Sequence, residues 1–391
     1  MLKATKIRLY PTPEQAVFLN AQFGAVRFTY NKALHIISSQ YSRHGLSLRA
    51  KRDIKPLLAV AKRSRKYFWL KDYDSIALQQ ACINLDQSFQ NFFSPKLPAK
   101  YPCFKSKHGK QSSYHCMGVN AGEDWIKIPK LGKIKARVHR ELVGTLKSIT
   151  LTRTVTGKHY ASLLMESGVC APEPAKHIDK EAVLGLDMGI THLVIDSEGR
   201  KEVNPRFLKN AKTNLRCKQK SLSRCTKGSK GRAKARLTLA KAHERVANVR
   251  ADYQHKLSRR LIDENQAVSV ETLKVKNMLK NRKLSKHIAD AAWSSLIQKL
   301  EYKAREQGKH FVKIDQWFAS SKTCHYCGHK VDELPLNVRK WDCPACEIDN
   351  DRDINAAINI RQQGILKLKA DGLTVSANGG LRKSGNLPVA A

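Results

Sequence analysis

Acidic residues are scarce in this chain. Asp and Glu number 33 against 72 Lys and Arg over 391 residues, leaving a formal charge of +39. Such an excess costs self-repulsion in any compact fold unless a polyanion neutralises it, so nucleic acid is the expected partner and binding should be steeply salt-dependent. Long apolar runs are missing too. Nothing approaches the roughly 20 residues that span a bilayer, so no membrane partner is expected. The opening, MLKATKIRLYPTP, lacks the apolar core of a signal peptide. The expected location is the cytoplasm. A disulfide framework is likewise absent: Cys82, Cys103, Cys116, Cys170, Cys217 and Cys225 are scattered, and only four of the ten cysteines cluster. No internal repeat is visible.

What is present is ordinary apolar content, 41%, in a chain long enough for two or three domains. Residues 2–10 alternate as a strand. Thr12, Pro13 and Gln15 then form a helix start with a capping box, and Leu19, Phe23, Val26, Tyr30, Leu34 and Ile37 mark one face of a long helix. A second helix is expected over 75–93, with Ile76, Leu78, Ala81, Leu85, Phe89 and Phe92 inward. Residues 12–95 therefore read as a helical domain. Short β-like runs at 125–128, 132–138, 148–154 and 159–165 suggest an antiparallel barrel or sandwich over 96–172, closed by the first strand (residues 1–11). Residues 169–181 read as a linker. Residues 200–262 carry 20 Lys or Arg against three acids, yet keep an apolar stripe (Leu239, Val246, Val249, Tyr253, Leu257, Leu261), which predicts a helix with a basic outer face. Further elements are expected at 293–307, 311–314 and 354–366, and a disordered tail over 369–391.

Three carboxylates stand out. Val183 to Leu186 is an apolar run ending at Asp187, with Gly189 supplying a turn. Val268 to Val270 leads into Glu271. Asp353 opens the last helix. An acid directly after an apolar strand is expensive to bury without a purpose, and a small carboxylate cluster is what two divalent ions need to hydrolyse a phosphodiester. Taken singly, each acid also fits a turn or cap, Asp353 above all. Taken together, they have the layout of an RNase H-like sheet. Their order, with Glu in the middle, is that of RuvC-type nucleases rather than of Asp-Asp-Glu transposases.

Just ahead of Asp353 lies Cys324-x-x-Cys327, fifteen residues, then Cys343-x-x-Cys346, the spacing of a structural four-thiolate zinc site. His325 and His329 are read as surface residues.

With these motifs together, the chain resembles the TnpB family of RNA-guided DNA endonucleases from bacterial insertion sequences, relatives of type V CRISPR effectors. The resemblance runs from IRLYPTPEQ through YPCFK, GLDMGITHLV, NPRFL, VETLKVKNM and SSKTCHYCG to DRDINAAINI. It implies an α/β multidomain protein: an N-terminal wedge-type β-barrel (1–11 and 96–172) interrupted by a helical recognition domain (12–95), then a RuvC nuclease (183–318 and 350–368) carrying the zinc ribbon (319–349). It implies Asp187, Glu271 and Asp353 as catalytic Mg²⁺ ligands for two ions, and hydrolysis to a 5′-phosphate and a 3′-hydroxyl. One zinc on Cys324, Cys327, Cys343 and Cys346 completes the metal set. Asp351 is the runner-up to Asp353, and Arg352 and Asn355 are expected to steady the ligands. The implied partners are a guide RNA from the transposon end and a double-stranded DNA target beside a short motif, with room for a homodimer. Arg216, Lys218, Lys220, Arg224, Arg232, Lys234 and Arg236 become candidate nucleic-acid contacts. The sequence departs from the family at Glu347, where Gly is usual after the second cysteine pair, and at Cys103, where a basic residue is common. The rival readings are a non-cutting RNA-guided repressor, which would lack a catalytic acid, a conventional transposase, and a zinc-ribbon RNA-binding protein.

Overall fold

A computed structural model describes residues 1–107, 111–335 and 337–376. They divide into two compact units, Met1–Cys170 and the residues from Ala171 onward.

In the first unit, Ile7 and Leu9 point into the core from β1 (Leu2–Tyr10). Thr12 then caps α1 (Pro13–His44): its hydroxyl accepts from the Gln15 N–H, and the Gln15 side chain accepts from the Thr12 N–H. The expected stripe from Leu19 to Ile37 is buried throughout. α1 stops at Gly45, whose left-handed backbone (φ 65°) lets its N–H reach the Tyr41 carbonyl. A short α2 (Leu57–Ala61) and α3 (Ser75–Phe93) follow, the latter at the expected bounds. Ile76 is a correction: it is exposed, and Ala77 and Leu78 face inward. Two residues before Leu78 on a 3.6-residue helix is the opposite side.

Seven strands complete this unit: β1 with β2 (Gln111–Cys116), β3 (Asn120–Ala121), β4 (Trp125–Ile128), β5 (Gly132–Arg137), β6 (Thr145–Thr154) and β7 (His159–Glu166). They are antiparallel throughout, in the order β2-β6-β7-β1-β5-β4-β3. β1 therefore joins two hairpins at the middle of the sheet, and α1 to α3 are an insertion between its strands. The first strand thus joins this antiparallel sheet as expected, and among the described residues no ladder pairs β2 with β3. β2 escaped the sequence reading because QSSYHC is largely polar.

The second unit begins with β8 (His177–Asp179), β9 (Val183–Asp187), β10 (His192–Asp196) and β11 (Lys201–Val203). Two helices follow, α4 (Phe207–Arg224) and α5 (Lys230–Asp263), where one had been expected; Ser229 caps the second. Val249 of the expected stripe is exposed. Then come β12 (Ala267–Glu271), α6 (Val275–Met278), α7 (Ser285–Ala291), α8 (Trp293–Glu306), β13 (His310–Ile314), a hairpin of β14 (Lys340–Asp342) and β15 (Asp349–Asp351), α9 (Arg352–Ala370) and β16 (Thr374–Ser376). The main sheet runs β11-β10-β9-β12-β13. β9 pairs antiparallel with β10, but parallel with β12, which is parallel to β13.

β9 and β12 are central and covered on both faces, so both are almost wholly apolar before their terminal acids, with Ser269 the one polar residue between them. Leu184, Leu186, Val268 and Val270 pack with Leu257, Leu261, Trp293, Leu296 and Leu300 from α5 and α8. The opposite face carries α9, which lies unusually close. A Cβ on Gly185 would fall 2.1 Å from the Ala357 carbonyl, and one on Gly364 would fall 2.5 Å from Ser269 Oγ.

Two expectations about the ends of this unit are corrected. His177–Asp179, within the presumed linker, pairs in parallel with Thr374–Ser376, within the presumed tail. Residues 377–391 of that tail lie outside the described residues. Among the described residues, no helix is long and apolar enough to cross a membrane.

Candidate active site and metal centre

Asp187 ends β9 and Glu271 ends β12. The register pairs Leu186 with Val270, so the two acids follow side by side at the same sheet edge. Strand alternation puts both on the face of Gly185 and Ser269, the face α9 covers. Asp353 lies in the first turn of α9.

Asp187 lies near enough to the other two acids to feel their charge. Burial first, then the charges of Glu271 and Asp353, push Asp187 up to about 8, against the opposing pull of the Met188 N–H and Arg339. Burial also raises Glu271, partly offset by the Ser320 hydroxyl, which donates to its Oε1. Arg339 Nη1 donates to Asp353 Oδ1 at 3.1 Å.

Asp351 does different work. One oxygen accepts from the N–H groups of Asp353 and Ile354, capping α9, and the other accepts from Lys201 Nζ at 2.6 Å. Despite burial, Lys201 and those amides hold it below the usual carboxylate range. Arg352 and Asn355 bond into the cysteine module, while Arg352 still feels the charges of Asp353 and Asp187. Arg352 Nη1 donates to the Pro335 carbonyl at 2.6 Å. Asn355 accepts from the His325 N–H at 2.8 Å and donates to the Thr323 carbonyl at 2.8 Å, with Asn359 donating to the same carbonyl. Both residues therefore anchor the cysteine module to α9.

In that module the four sulfurs of Cys324, Cys327, Cys343 and Cys346 lie within 4.8 Å of one another. Cys324 and Cys346 are 3.8 Å apart, and Cys327 and Cys343 3.5 Å. A tetrahedron with 2.3 Å Zn–S bonds has edges of about 3.8 Å, whereas a disulfide would need about 2.0 Å. The donor set fits zinc. Burial opposes ionisation of Cys324, but the N–H groups of Cys327 and Tyr326 and the adjacent thiols bring it down to about 6. Among the described residues no other set of three potential ligands is drawn this tight; the carboxylates are close enough to repel but more open. Glu347, the departure from the family pattern, does sit in the left-handed region, at φ 59°. His325 is a correction: its Nδ1 lies 3.0 Å from Asn350 Oδ1 and 3.1 Å from Asn355 Oδ1, so it belongs to the module's base. His329 is exposed, as expected.

Of the basic candidates, Arg216, Lys220, Arg224, Lys234 and Arg236 are exposed along α4 and α5. Lys218 is half-buried and bonded to Asn214. Arg232 is a structural brace: its Nη1 donates to the Leu222 and Cys225 carbonyls, closing the end of α4.

Ser320, Lys201, Arg339 and Asp290 were missed. Asp290 accepts from the Leu208 and Lys209 N–H groups and so caps α4 from 82 residues away. Ser320 carried a faint signal, a small polar residue just ahead of the first cysteine pair. The others reach the site only through tertiary folding.

Comparison with known proteins converges on one group. A family model described as "Probable transposase" (OrfB_IS605) matches residues 167–282, a Cas12f1-like TNB domain matches 293–360, and a helix-turn-helix model matches 1–45. Residues 1–45 here form a strand and one uninterrupted helix. A "Putative RNA-guided DNA endonuclease" of Streptomyces pristinaespiralis is 39% identical over 93% of this chain and 89% of its own length. The chain belongs to the TnpB family. A second TnpB-family relative, the "Putative RNA-guided DNA endonuclease InsQ" of Escherichia coli K12, is 30% identical over 93% of this chain and 92% of its own. Among solved structures, a Cas12f1–sgRNA–target DNA complex shares the fold with a TM-score of 0.55 at 13% identity, covering 92% of this chain and 98% of that one.

Proposed function

We propose that this TnpB-family chain is an insertion-sequence-encoded, RNA-guided DNA endonuclease whose phosphodiester cleavage takes place at Asp187, Glu271 and Asp353. The observation that carries the reading is the convergence of three acids: Asp187 and Glu271 end neighbouring strands in register, and Asp353 opens the helix that covers that face. Burial and the two neighbouring charges raise Asp187, which marks a site short of positive charge.

The five-stranded order, with three antiparallel strands followed by two parallel ones and a helix across the central pair, supports an RNase H-like nuclease. The seven-stranded sheet with its helical insertion supports the wedge and recognition assignment for the first unit.

Hard oxygen donors packed this way suit Mg²⁺, with Asp187, Glu271 and Asp353 as its holders. Divalent ions bound there would supply charge neutralisation and an activated water. The remaining work falls to the chain. Ser320 orients Glu271 by its hydrogen bond. Asp351 and Lys201 fix the start of α9, and with it the position of Asp353. Arg339, bonded to Asp353, adds a cation at the same mouth and suits a phosphate. The zinc module is structural, because all four ligand positions are taken by thiolates. The guide RNA and DNA target account for the charge of +39, and exposed Arg216, Lys220, Arg224, Lys234 and Arg236 are proposed backbone contacts.

The non-cutting repressor is disfavoured because all three acids are present and meet. The test is to express the protein with its native downstream flank, sequence the RNA that co-purifies, and offer the complex a matching DNA library with Mg²⁺ or EDTA. Cutting that requires the RNA, the metal and Asp187 is expected. RNA-directed binding that never cuts would return the chain to the repressor reading.

A further inference from the structure

The loop that follows β13 carries two unlike features three residues apart. Ser320 is buried and bonded to Glu271. Trp317 is 81% exposed, an indole set out in solvent where such a ring is rarely left without reason. The loop is not slack. Trp317 N donates to Asp315 Oδ1 at 2.8 Å and Ser320 N to the Phe318 carbonyl at 2.9 Å, so a tight turn presents the ring.

Beside it lies a cavity of about 710 Å³. One wall is Thr272, Ile314 and Trp317; the other is Gln363, Leu366 and Lys367 of α9. Thr272 is the residue after Glu271, and its hydroxyl donates to the Ile314 carbonyl at 2.6 Å, tying that wall to the acid-bearing strand. Lys274 Nζ stands 5.8 Å from the Trp317 ring, Lys313 lines the same cavity, and Lys367 reaches over to the Lys313 carbonyl. A planar apolar face beside an open cavity suits a base, and Lys274 and Lys367 suit its flanking phosphates; Lys313 is paired with Glu301, and Asp315 is the one acid of the lining.

We propose that Trp317 is a stacking platform for one base of the single-stranded DNA entering the acid cluster, with Lys274 and Lys367 on the flanking phosphates. The inference rests on the nuclease reading and deepens it, by naming how the strand is held. The chain between Trp317 and Ser320 spans at most about 11 Å, so the stacked base lies within a few nucleotides of the phosphate being cut. Trp317 is thus a positioning residue. It touches the substrate strand but not the reacting atoms.

The experiment uses the full chain with its guide RNA. Single-stranded DNA is added to the Asp187→Asn complex, and tryptophan fluorescence is followed for Trp317 against the Trp317→Phe and Trp317→Ala variants. The Trp317-dependent emission is expected to quench on binding, and Ala is expected to weaken capture of the strand about tenfold, with Phe restoring most of it. In the cutting-competent complex, Trp317→Ala should slow cleavage or shift the cut position while RNA-directed binding to the duplex target is unchanged. If the emission does not respond to DNA and Ala matches wild type in capture, the platform is overturned. If the wild-type complex never cuts yet the quench appears, the nuclease reading fails and the platform stands.

Discussion

The cysteine module and the carboxylate cluster are two sites for cations built in opposite ways. The module gathers four ligands from 23 consecutive residues, Cys324 to Cys346, and its sulfurs already lie at the spacing of a tetrahedral ion. The cluster draws its acids from β9, β12 and α9, spread over Asp187 to Asp353, and it holds them under mutual repulsion. A site made by local chain closure has only a small core around Trp341 and its ties to α9 to hold it, and leans on its metal for the rest. A site laid on the edge of an apolar sheet is held open by a core that does not need the metal at all, and the repulsion is what makes it receptive. In the function proposed above, that is why the first ion is structural and the second catalytic.

The comparison can be broken by removing each cation site in turn. Cys343→Ser should cost the most. Structural zinc contributes on the order of 10 kcal/mol in isolated fingers, so the variant should lose its single bound zinc by elemental analysis and expose residues 320–350 to protease. Asn355 and Asn359, which hold that loop to α9, would lose their partners, so cleavage should fall as well. Asp187→Asn should leave zinc content and RNA binding intact while cutting drops by on the order of a thousandfold, as expected when several kcal/mol of transition-state stabilisation is lost. Asp353→Asn should approach that loss, while Asp351→Asn, which keeps a capping oxygen and loses only the charge paired with Lys201, should retain most activity. Equal losses at 351 and 353 would exchange their assigned roles.

Acidity gives a gentler probe. Asp187 titrates near 3.8 when unfolded and about 8 when folded. Between those values the folded state holds the extra proton, so in EDTA stability should fall as pH rises from about 4 to about 8. Asp187→Asn should remove that slope and be the more stable form at the alkaline end, by on the order of a few kcal/mol. Added Mg²⁺ should stabilise the wild type there and not the variant. A metal-free wild type whose melting temperature stays flat or rises across this window would contradict the buried cluster.

The smallest expected effect is at Glu347. Its φ of 59° costs an L-residue about 1 kcal/mol that glycine does not pay. Glu347→Gly should therefore strengthen the cysteine module by about that amount, read as a higher chelator concentration for half-loss of zinc.

How much of this was legible in the sequence follows the same division. The four cysteines were read from spacing alone because the site is local. Asp187 and Glu271 were visible because each ends a strand too apolar to lie at a surface, and α1 because Thr12 and Gln15 write their cap into the sequence. What escaped was set by tertiary contact. Nothing near Arg339 or Lys201 announces a carboxylate partner, because each meets one only after β14 and β11 are in place. The basic stretch after Lys201 split into two helices because Ser229 caps a new start. That signal was masked by charge on both sides, and it made Arg232 a brace where a nucleic-acid contact had been expected. The first sheet was half-read because polar strands such as Gln111–Cys116 carry no alternation to detect.

The pairing of His177–Asp179 with Thr374–Ser376 has a consequence for how such a protein can be rearranged. Neighbouring strands in a sheet run about 4.8 Å apart, so the first and last described strands of the second unit lie side by side. A body with adjoining ends can be spliced into a surface loop of an unrelated host, or have its ends joined and be reopened elsewhere, without stretching either partner. The second unit is in that sense a portable cassette.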